Sequence, residues 1–335
     1  MKASVFLYNT PIMPETKKKL GTEPYKGVRD FYPEDMAVQS YIFSVWQSVA
    51  ERFGYKEYAA SILEPAELYR SKGSDEIVNE QMFTFKDRGD REVALRPEMT
   101  PSLARMVAAR RKSLKFPLRW YTIANCFRYE RPQRGRKREH WQLNCDLMGV
   151  AGIESEVEII SLAYEIMKKF GAKDEDFVIK IGDRRIMEKA LQANGVKKTD
   201  IPSVFRLLDK KGKMPEEERL LALEALGCAK NKIVSYWSAA ITDLQKRLTD
   251  KKINNVEFDG SIVRGFDYYT GMVFEVFDTH AENRRSLFGG GRYDNLLEMF
   301  SVDPLPMVGF GMGDVTIMDF LETHQLPLHN TNTAN

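Results

Sequence analysis

Residues 126–149 read CFRYERPQRGRKREHWQLNCDLMG, and this stretch decides the fold because its cationic loop joins two segments with the composition of β-strands. The first segment, at 117–129, is rich in aromatic and β-branched residues and lacks helical spacing. The second places large or apolar residues at alternate positions, namely Trp141, Leu143, Cys145 and Leu147. A period of two is typical of a strand with one apolar face. The stretch therefore predicts two strands linked by a basic loop.

The opposite face of the second strand is polar. Gln142, Asn144 and Asp146 stand at steps of about 6.6 Å, because alternate strand residues point to the same side. The loop before them is rich in cations: Arg128, Arg131, Arg134, Arg136, Lys137 and Arg138. A solvated sheet face and a solvated turn produce the same two patterns. Because the two features are adjacent in the chain, we favour one pocket in which arginines hold a phosphate beside a polar small molecule.

Composition limits the class of protein. The chain has 335 residues, of which 43% are hydrophobic, enough for two domains or for one large domain with an insertion. No apolar run approaches the roughly 20 residues that span a bilayer, and the N-terminus lacks the apolar core of a signal peptide. We therefore expect a cytoplasmic protein without membrane association.

Common catalytic and metal-binding signatures are missing from the sequence. The three cysteines form no CxxC pair and the four histidines lack metal-ligand spacing, so no metal site is predicted. No GxSxG, HExxH or GxxxxGKS/T motif occurs. With a net charge of +2, any nucleic acid is expected to meet local basic patches rather than a uniformly basic surface.

Apolar periodicity predicts the secondary structure of the first half. Residues three or four apart indicate helices at 36–53 and 154–170, closed by Gly54 and Gly171. A short strand follows at 177–181. Between these helices, two strands around a turn at 87–90 predict a hairpin.

Glu98 stands where this hairpin ends. Carboxylates at strand ends often face ligands, although a surface acid near a helix N-terminus is an equally simple interpretation. Thr100 and Pro101 provide an N-cap and a first-turn proline for a helix reaching residue 111.

The second half begins differently. Lysine and glutamate become frequent from residue 184 to 257, with helical stretches at 215–226 and 232–248, which predicts a helical insertion. Strand patterns resume at 261–267 and 272–278. The run GFGMG at 309–313 precedes a last helix, but closely spaced glycines more often allow tight strand packing than hold a ligand.

Three motifs together resemble the histidyl-tRNA synthetase family of class II aminoacyl-tRNA synthetases. FRYERPQRGRKREHWQ at 127–142 is similar to that family's second class motif, and VRGFDYYTG at 263–271 to its first histidine motif. GGGRYDNLL at 289–297 is similar to its second histidine motif. The resemblance covers about residues 26–323 and implies an α+β fold, an antiparallel sheet flanked by helices.

The resemblance also implies a domain organisation. Its parts are an N-terminal extension (1–25), a catalytic domain in two segments (26–183 and 259–325), a helical insertion (184–258) and a polar tail (326–335). The helix at 36–53 corresponds to the family's dimer-forming motif, which implies a homodimer.

The implied activity is that of a histidine–tRNA ligase, which activates L-histidine with ATP and Mg²⁺ and transfers it to tRNA(His). The histidine carboxylate attacks the α-phosphorus of ATP, so fixed cations must stabilise the additional charge. The resemblance assigns Arg128 to the α-phosphate, Arg264 to both the α-phosphate and the histidine carboxylate, and Arg136 to the outer phosphates.

The remaining matched residues concern the amino acid and the adenine. Glu98 and Gln142 match positions that hold the α-amino group. Asp146 and Tyr269 match those that recognise the imidazole, with Tyr268 beside them. His140 lies where the family usually has phenylalanine under the adenine. Outside these motifs, tyrosines in a strand and an arginine in an ion pair would be ordinary structural residues.

Two departures from the family pattern leave an alternative open. The third class motif normally ends in Glu-Arg, whereas Thr316 aligns with that arginine here. The chain also ends about where the family's C-terminal anticodon-binding domain begins, as expected for a fragment or a short form. Both features fit a noncatalytic, synthetase-like regulatory subunit of ATP phosphoribosyltransferase. The retained arginines favour the enzyme, and a nucleic-acid-binding loop alone would not explain the polar strand.

Overall fold

The computed structural model describes residues 20–71, 77–210, 214–228, 239–264, 266–283 and 285–329. Their main feature is an eight-stranded sheet with the order β1-β5-β6-β11-β10-β9-β7-β8. The strands are β1 (Lys56–Glu57), β5 (Leu118–Phe127), β6 (Glu139–Met148), β7 (Phe177–Asp183), β8 (Val256–Phe258), β9 (Met272–Asp278), β10 (Ser286–Arg292) and β11 (Met307–Gly313). From β5 to β7 in this order, every pair of neighbouring strands is antiparallel. At the two edges, β1 and β8 pair in parallel with β5 and β7. The α+β fold with an antiparallel sheet is confirmed.

The hairpin of β5 and β6 is the longest pairing of this sheet, with Leu118 opposite Met148 and Phe127 opposite Glu139. Its side chains divide as the sequence predicts. Leu143, Cys145 and Leu147 belong to the main hydrophobic core. The alternate residues point to the other face, where the candidate site lies.

Helices cover both faces of the sheet. The helices α1 (Pro33–Arg52), α4 (Glu154–Lys169) and α9 (Asp314–Thr323) contribute to the main core. Trp46 of α1 is fully buried there, and burying a side chain of this size contributes at least about 1.5–3 kcal/mol. Gly54 and Gly171 follow α1 and α4 with φ of 81° and 96°, which confirms the predicted helix ends because glycine adopts this conformation without steric cost.

The second core lies on the other face, under α3 (Thr100–Arg110). Met99 precedes this helix and Thr100 is its first residue, so Thr100 is not the N-cap that the sequence predicted. Beside α3 are a short helix, α2 (Ala66–Arg70), and a three-stranded sheet of β2 (Leu63–Pro65), β4 (Glu92–Leu95) and β3 (Phe83–Lys86). Strands β3 and β4 form the predicted hairpin.

The segment after β7 is helical, with α5 (Arg184–Ala193), α6 (Ile201–Asp209), α7 (Glu216–Ala225) and α8 (Ala239–Asp250). It has a small core of its own, which includes Leu191, Val204 and Phe205. The predicted helix at 232–248 falls partly outside the described residues, as do the N-terminal extension through residue 19 and the tail from 330. The domain bounds remain a prediction, and β8 at 256–258 shows that the insertion segment ends in a strand of the main sheet.

The strand predicted at 261–267 is wrong. Its described residues form a loop, in which Arg264 has φ of 55°. This left-handed conformation interrupts an extended chain. Among the described helices, none is long and apolar enough to cross a membrane.

Candidate active site

Seven of the nine predicted site residues line one cleft above the polar face of the sheet. Those seven are Glu98, Arg128, Gln142, Asp146, Arg264, Tyr268 and Tyr269. The cleft also contains Asn144 of the predicted polar strand face, together with Phe266 and Tyr293, to which the sequence assigned no role. Its volume is about 490 Å³, counting the open mouth, which is adequate for a small polar ligand.

The floor of the cleft forms where β6 meets β11. Gly309 pairs with Asp146 and Gly311 with Asn144. A Cβ at Gly309 would collide with the Asp146 carboxylate, and one at Gly311 would lie 2.8 Å from the Gln142 amide nitrogen. The glycine spacing, which alone indicated only tight packing, therefore provides the space for polar side chains of the neighbouring strand.

Glu98 is 3% exposed at one wall of the cleft. The Tyr268 hydroxyl donates to its Oε2 at 3.2 Å, while its Oε1 has no partner in the described part of the chain. Burial raises the pKa of Glu98 to about 7, against the opposing effects of Arg128 and the Tyr268 hydrogen bond. A buried carboxylate with a free oxygen is suited to a cationic donor from a ligand.

Asp146 presents a second such oxygen. It is 2% exposed, and its Oδ1 accepts a hydrogen bond from the Tyr293 hydroxyl. Its Oδ2 is buried without a partner among the described residues. Burial raises the pKa of Asp146 to about 7, although the hydrogen bond from Tyr293 lowers it.

Aromatic rings separate these two acids. Tyr268 lies 4.9 Å from Tyr269 and 5.6 Å from Tyr293, measured between ring centroids. Phe266 stacks on Tyr268 at 5.1 Å. Sequence reasoning assigned no role to Tyr293, although the residue lies within the motif GGGRYDNLL. Its place in this motif was the available signal.

Two guanidinium groups reach the same cleft. Arg128 is held by its Nε, which donates to the Pro97 carbonyl at 2.9 Å. Arg264 pairs through Nη1 with Glu275 at 2.9 Å, and its buried Nε has no acceptor among the described residues. The cleft thus combines two cations with two carboxylates that retain unpartnered oxygens.

Comparison with known proteins identifies the family of this chain. The family model described as histidyl-tRNA synthetase matches residues 27–236 and 213–314. A histidine–tRNA ligase from Leptospira biflexa serovar Patoc is 44% identical over 333 residues, which cover 92% of this chain and 76% of the relative. The chain belongs to the histidyl-tRNA synthetase family.

Solved structures show the same fold. A histidyl-tRNA synthetase from Nostoc sp. PCC 7120 has a TM-score of 0.76 and 20% identity, covering 92% of this chain and 78% of the other. A protein from Bacillus halodurans C, described as an ATP phosphoribosyltransferase regulatory subunit/histidyl-tRNA synthetase, has a TM-score of 0.74 and 26% identity. That match covers 91% of this chain and 84% of the other.

Two predicted site residues do not line the cleft of this histidyl-tRNA synthetase family member. Arg136 lies in the loop between β5 and β6 and pairs with Glu130 at 3.4 Å. His140 lies on β6 in the same alternation as Gln142. Burial, with nearby Arg128 and Arg29, lowers the pKa of His140 to about 3. Its imidazole is therefore neutral near pH 7.

Thr316 aligns with the missing third-motif arginine, and its hydroxyl makes structural contacts. The Thr316 hydroxyl donates to the Leu287 carbonyl at 2.6 Å and lies 3.1 Å from that of Gly313. The bond to Leu287 attaches the first turn of α9 to the start of β10. Asp314, two residues earlier, accepts from the Trp141 backbone N–H at 2.9 Å and pairs with Arg29 at 2.7 Å.

Proposed function

We propose that this protein is a histidine–tRNA ligase that activates L-histidine with ATP and transfers it to tRNA(His). The observation that carries the proposal is the pairing of chemistries in one cleft. Glu98 and Asp146 offer unpartnered acceptor oxygens, while Arg128 and Arg264 offer cations. Histidine has an ammonium and an imidazole that require acceptors, and its carboxylate must meet a phosphate.

The amino-acid subsite is assigned to the acidic side of the cleft. Glu98 Oε1 would accept from the α-ammonium, with the Gln142 amide beside it. Asp146 Oδ2 would accept from an imidazole N–H, and Tyr269 would complement the other ring nitrogen. The aromatic side chains exclude water around these contacts, so each hydrogen bond discriminates strongly between substrates.

The reacting centre is assigned to the two arginines. A histidine carboxylate oxygen forms a bond to the α-phosphorus of ATP, and the bond to the departing pyrophosphate breaks. Arg128 and Arg264 would stabilise the negative charge that accumulates at this phosphorus. Mg²⁺ would enter with ATP on its phosphate oxygens, as is usual for this ion. His140 is proposed under the adenine and Arg136 at the outer phosphates.

The tRNA is expected to meet the basic loop between β5 and β6. Its 3′-terminal hydroxyl would attack the adenylate and release AMP. Arg131 is exposed in this loop, and exposed arginines bind phosphates without reading sequence. The cytoplasmic location remains a prediction from the sequence.

ATP–pyrophosphate exchange that depends on histidine tests the proposal. The purified chain, given histidine and Mg²⁺, should exchange pyrophosphate into ATP, and omission of histidine should abolish this reaction. Other amino acids serve as controls for specificity. Histidine binding without exchange at any magnesium concentration would instead indicate a regulatory subunit of ATP phosphoribosyltransferase.

A further inference from the structure

One buried arginine connects the helical insertion to the loop that carries the tyrosines of the cleft. Arg184, the first residue of α5, is 7% exposed. Its Nη1 donates to the carbonyl of Phe266 at 2.8 Å and to that of Tyr269 at 3.0 Å. Its backbone N–H donates to the Gly271 carbonyl at 3.1 Å. Three carbonyls of one loop are thus fixed by a single residue.

The other side of the Arg184 guanidinium faces the insertion. Its central carbon lies 4.5 Å from the Phe205 ring centroid, a cation–π distance. Phe205 belongs to the small core of the insertion, and Val263 of the cleft loop is buried in the same core. Arg206, next to Phe205, pairs with Asp267 at 3.4 Å. The insertion therefore holds the loop on both sides of Arg264.

Buried arginines of this protein have two kinds of partner, carboxylates or, as for Arg184 and Arg96, backbone carbonyls. Arg292 and Arg219 are also buried, and both pair with carboxylates, Glu156 at 2.6 Å and Glu216 at 2.7 Å. No carboxylate in the described part of the chain forms an ion pair with Arg184. Burial of a cation is costly, and the Nε of Arg184 has no partner among the described residues. The positional role therefore rests on the two carbonyls of the loop that its Nη1 contacts.

The loop needs such support because its backbone is unusual. Arg264 has φ of 55°, a conformation that an L-residue with a side chain adopts only when its surroundings enforce it. Phe266, Tyr268 and Tyr269 all project into the cleft from the segment that Arg184 holds. A shift of this segment would move both the aromatic wall and the Arg264 guanidinium.

We propose that Arg184 is a positioning residue, which connects the helical insertion to the loop that carries the tyrosines of the cleft and fixes the position of that loop. It acts through the carbonyls of Phe266 and Tyr269 and does not touch substrate. The proposal rests on the proposed function for its kinetic consequence, whereas its structural consequence is independent of any activity.

Kinetics of the exchange reaction provide the first test. Arg184→Ala should lower kcat/KM for histidine by about tenfold or more, because displacement of a substrate-positioning group by about 1 Å costs up to about 100-fold. The KM for ATP should change less than that for histidine, since Arg264 alone among the residues assigned to ATP lies in the displaced segment. Arg184→Lys keeps one donor and should recover part of the loss.

Arg219→Ala is the matched control, because it removes another buried arginine of the insertion that does not touch the loop. Any kinetic loss in Arg219→Ala should be equal for histidine and for ATP. Equal losses for histidine and ATP in Arg184→Ala, or the same histidine defect in Arg219→Ala, would reduce Arg184 to a general structural residue.

Hydrogen exchange separates this proposal from the activity. In Arg184→Ala, amides at 266–271 should exchange at least about tenfold faster, while those of β9 remain unchanged, because loss of two hydrogen bonds loosens the loop locally. Arg184→Gln, which keeps an amide donor, replaces this variant if alanine prevents folding. Unchanged exchange at 266–271 in a folded variant would refute the proposal, whereas a wild-type chain without pyrophosphate exchange would refute only the proposed function.

Discussion

The acids of the cleft are buried even without a ligand, and their burial makes the stability of the protein depend on pH. The pKa of Asp146 is raised to about 7 by burial, whereas an unfolded aspartate has a pKa of about 3.9. The folded state therefore retains a proton that the unfolded state releases over this range. The contribution of Asp146 to stability must fall as pH rises from about 4 to about 7.

Replacement of Asp146 by asparagine should expose this effect. Asparagine keeps the shape and cannot ionise, so Asp146→Asn should raise the Tm relative to wild type more at pH 8 than at pH 5. Thermal unfolding at both pH values measures the difference. Asp303→Asn, at an exposed site, is the control for removal of one carboxylate. Equal effects of Asp146→Asn at both pH values would mean that burial does not raise the pKa of Asp146.

Arg264 illustrates the opposite charge in the same cleft. Its removal should lower the exchange rate by about 100-fold or more, as for loss of one fixed charge donor at a developing anion. Arg264→Ala should be compared with Arg247→Ala, which removes a half-exposed arginine on α8. A rate close to that of wild type, with an intact fold by circular dichroism, would exclude Arg264 from the mechanism.

At the scale of elements, the glycines of strand β11 leave space for the side chains of the neighbouring strand. Its glycines lie opposite polar residues of β6, so its backbone forms a surface against which Gln142 and Asp146 can lie flat. An amide at the end of a flexible side chain can move aside, whereas a backbone atom cannot. A substitution at Gly311 should therefore affect ligand binding with less loss of stability than one at Gly290, where a Cβ would lie 2.6 Å from the Phe310 backbone.

Gly311→Ala should displace the Gln142 amide and weaken histidine binding about tenfold, consistent with loss of one buried polar contact. Gly313→Ala is the control on the same strand, because its Cβ would be 3.7 Å from the nearest atom, an ordinary contact. Isothermal titration with histidine measures both variants. Unchanged affinity in Gly311→Ala would show that Gln142 does not contact the amino acid.

At the scale of the whole molecule, we expect a homodimer formed through the region 36–53. In the structure, Ile42, Val45 and Val49 of α1 face the chain's own core. Exposed apolar residues remain at the start of the helix, where Tyr32 and Met36 lie. Singly exposed apolar residues are common on protein surfaces, so the expectation of a homodimer rests on the resemblance of this region to the family's dimer-forming motif.

Light scattering should therefore give a mass twice that of the chain at micromolar concentration. Met36→Glu should shift the protein toward monomer, because a charge buried in an interface is costly. Leu221→Glu alters an exposed leucine on α7 and should leave the dimer intact. A monomeric wild type, or equal dissociation by both substitutions, would contradict an interface on α1.

The sequence by itself determined the features that depend on near neighbours in the chain. The alternation in β6 separates Leu143 from Gln142, because a strand has a period of two. Gly54 and Gly171 end their helices through backbone conformation alone. The family resemblance predicted seven residues of the cleft, five of them within the three motifs and Glu98 and Asp146 outside them.

Only the tertiary structure decided which surfaces meet. The segment at 261–267 has strand-like composition, yet its described residues form a loop that contacts Arg184 and the insertion. Tyr293 gained a role because β10 places it against Asp146 of a strand far away in the sequence. The pKa shifts of the two acids have the same origin, since burial depends on all the packing around a group. Local periodicity specifies the faces of each element, whereas contacts between distant segments decide which of those faces become a site.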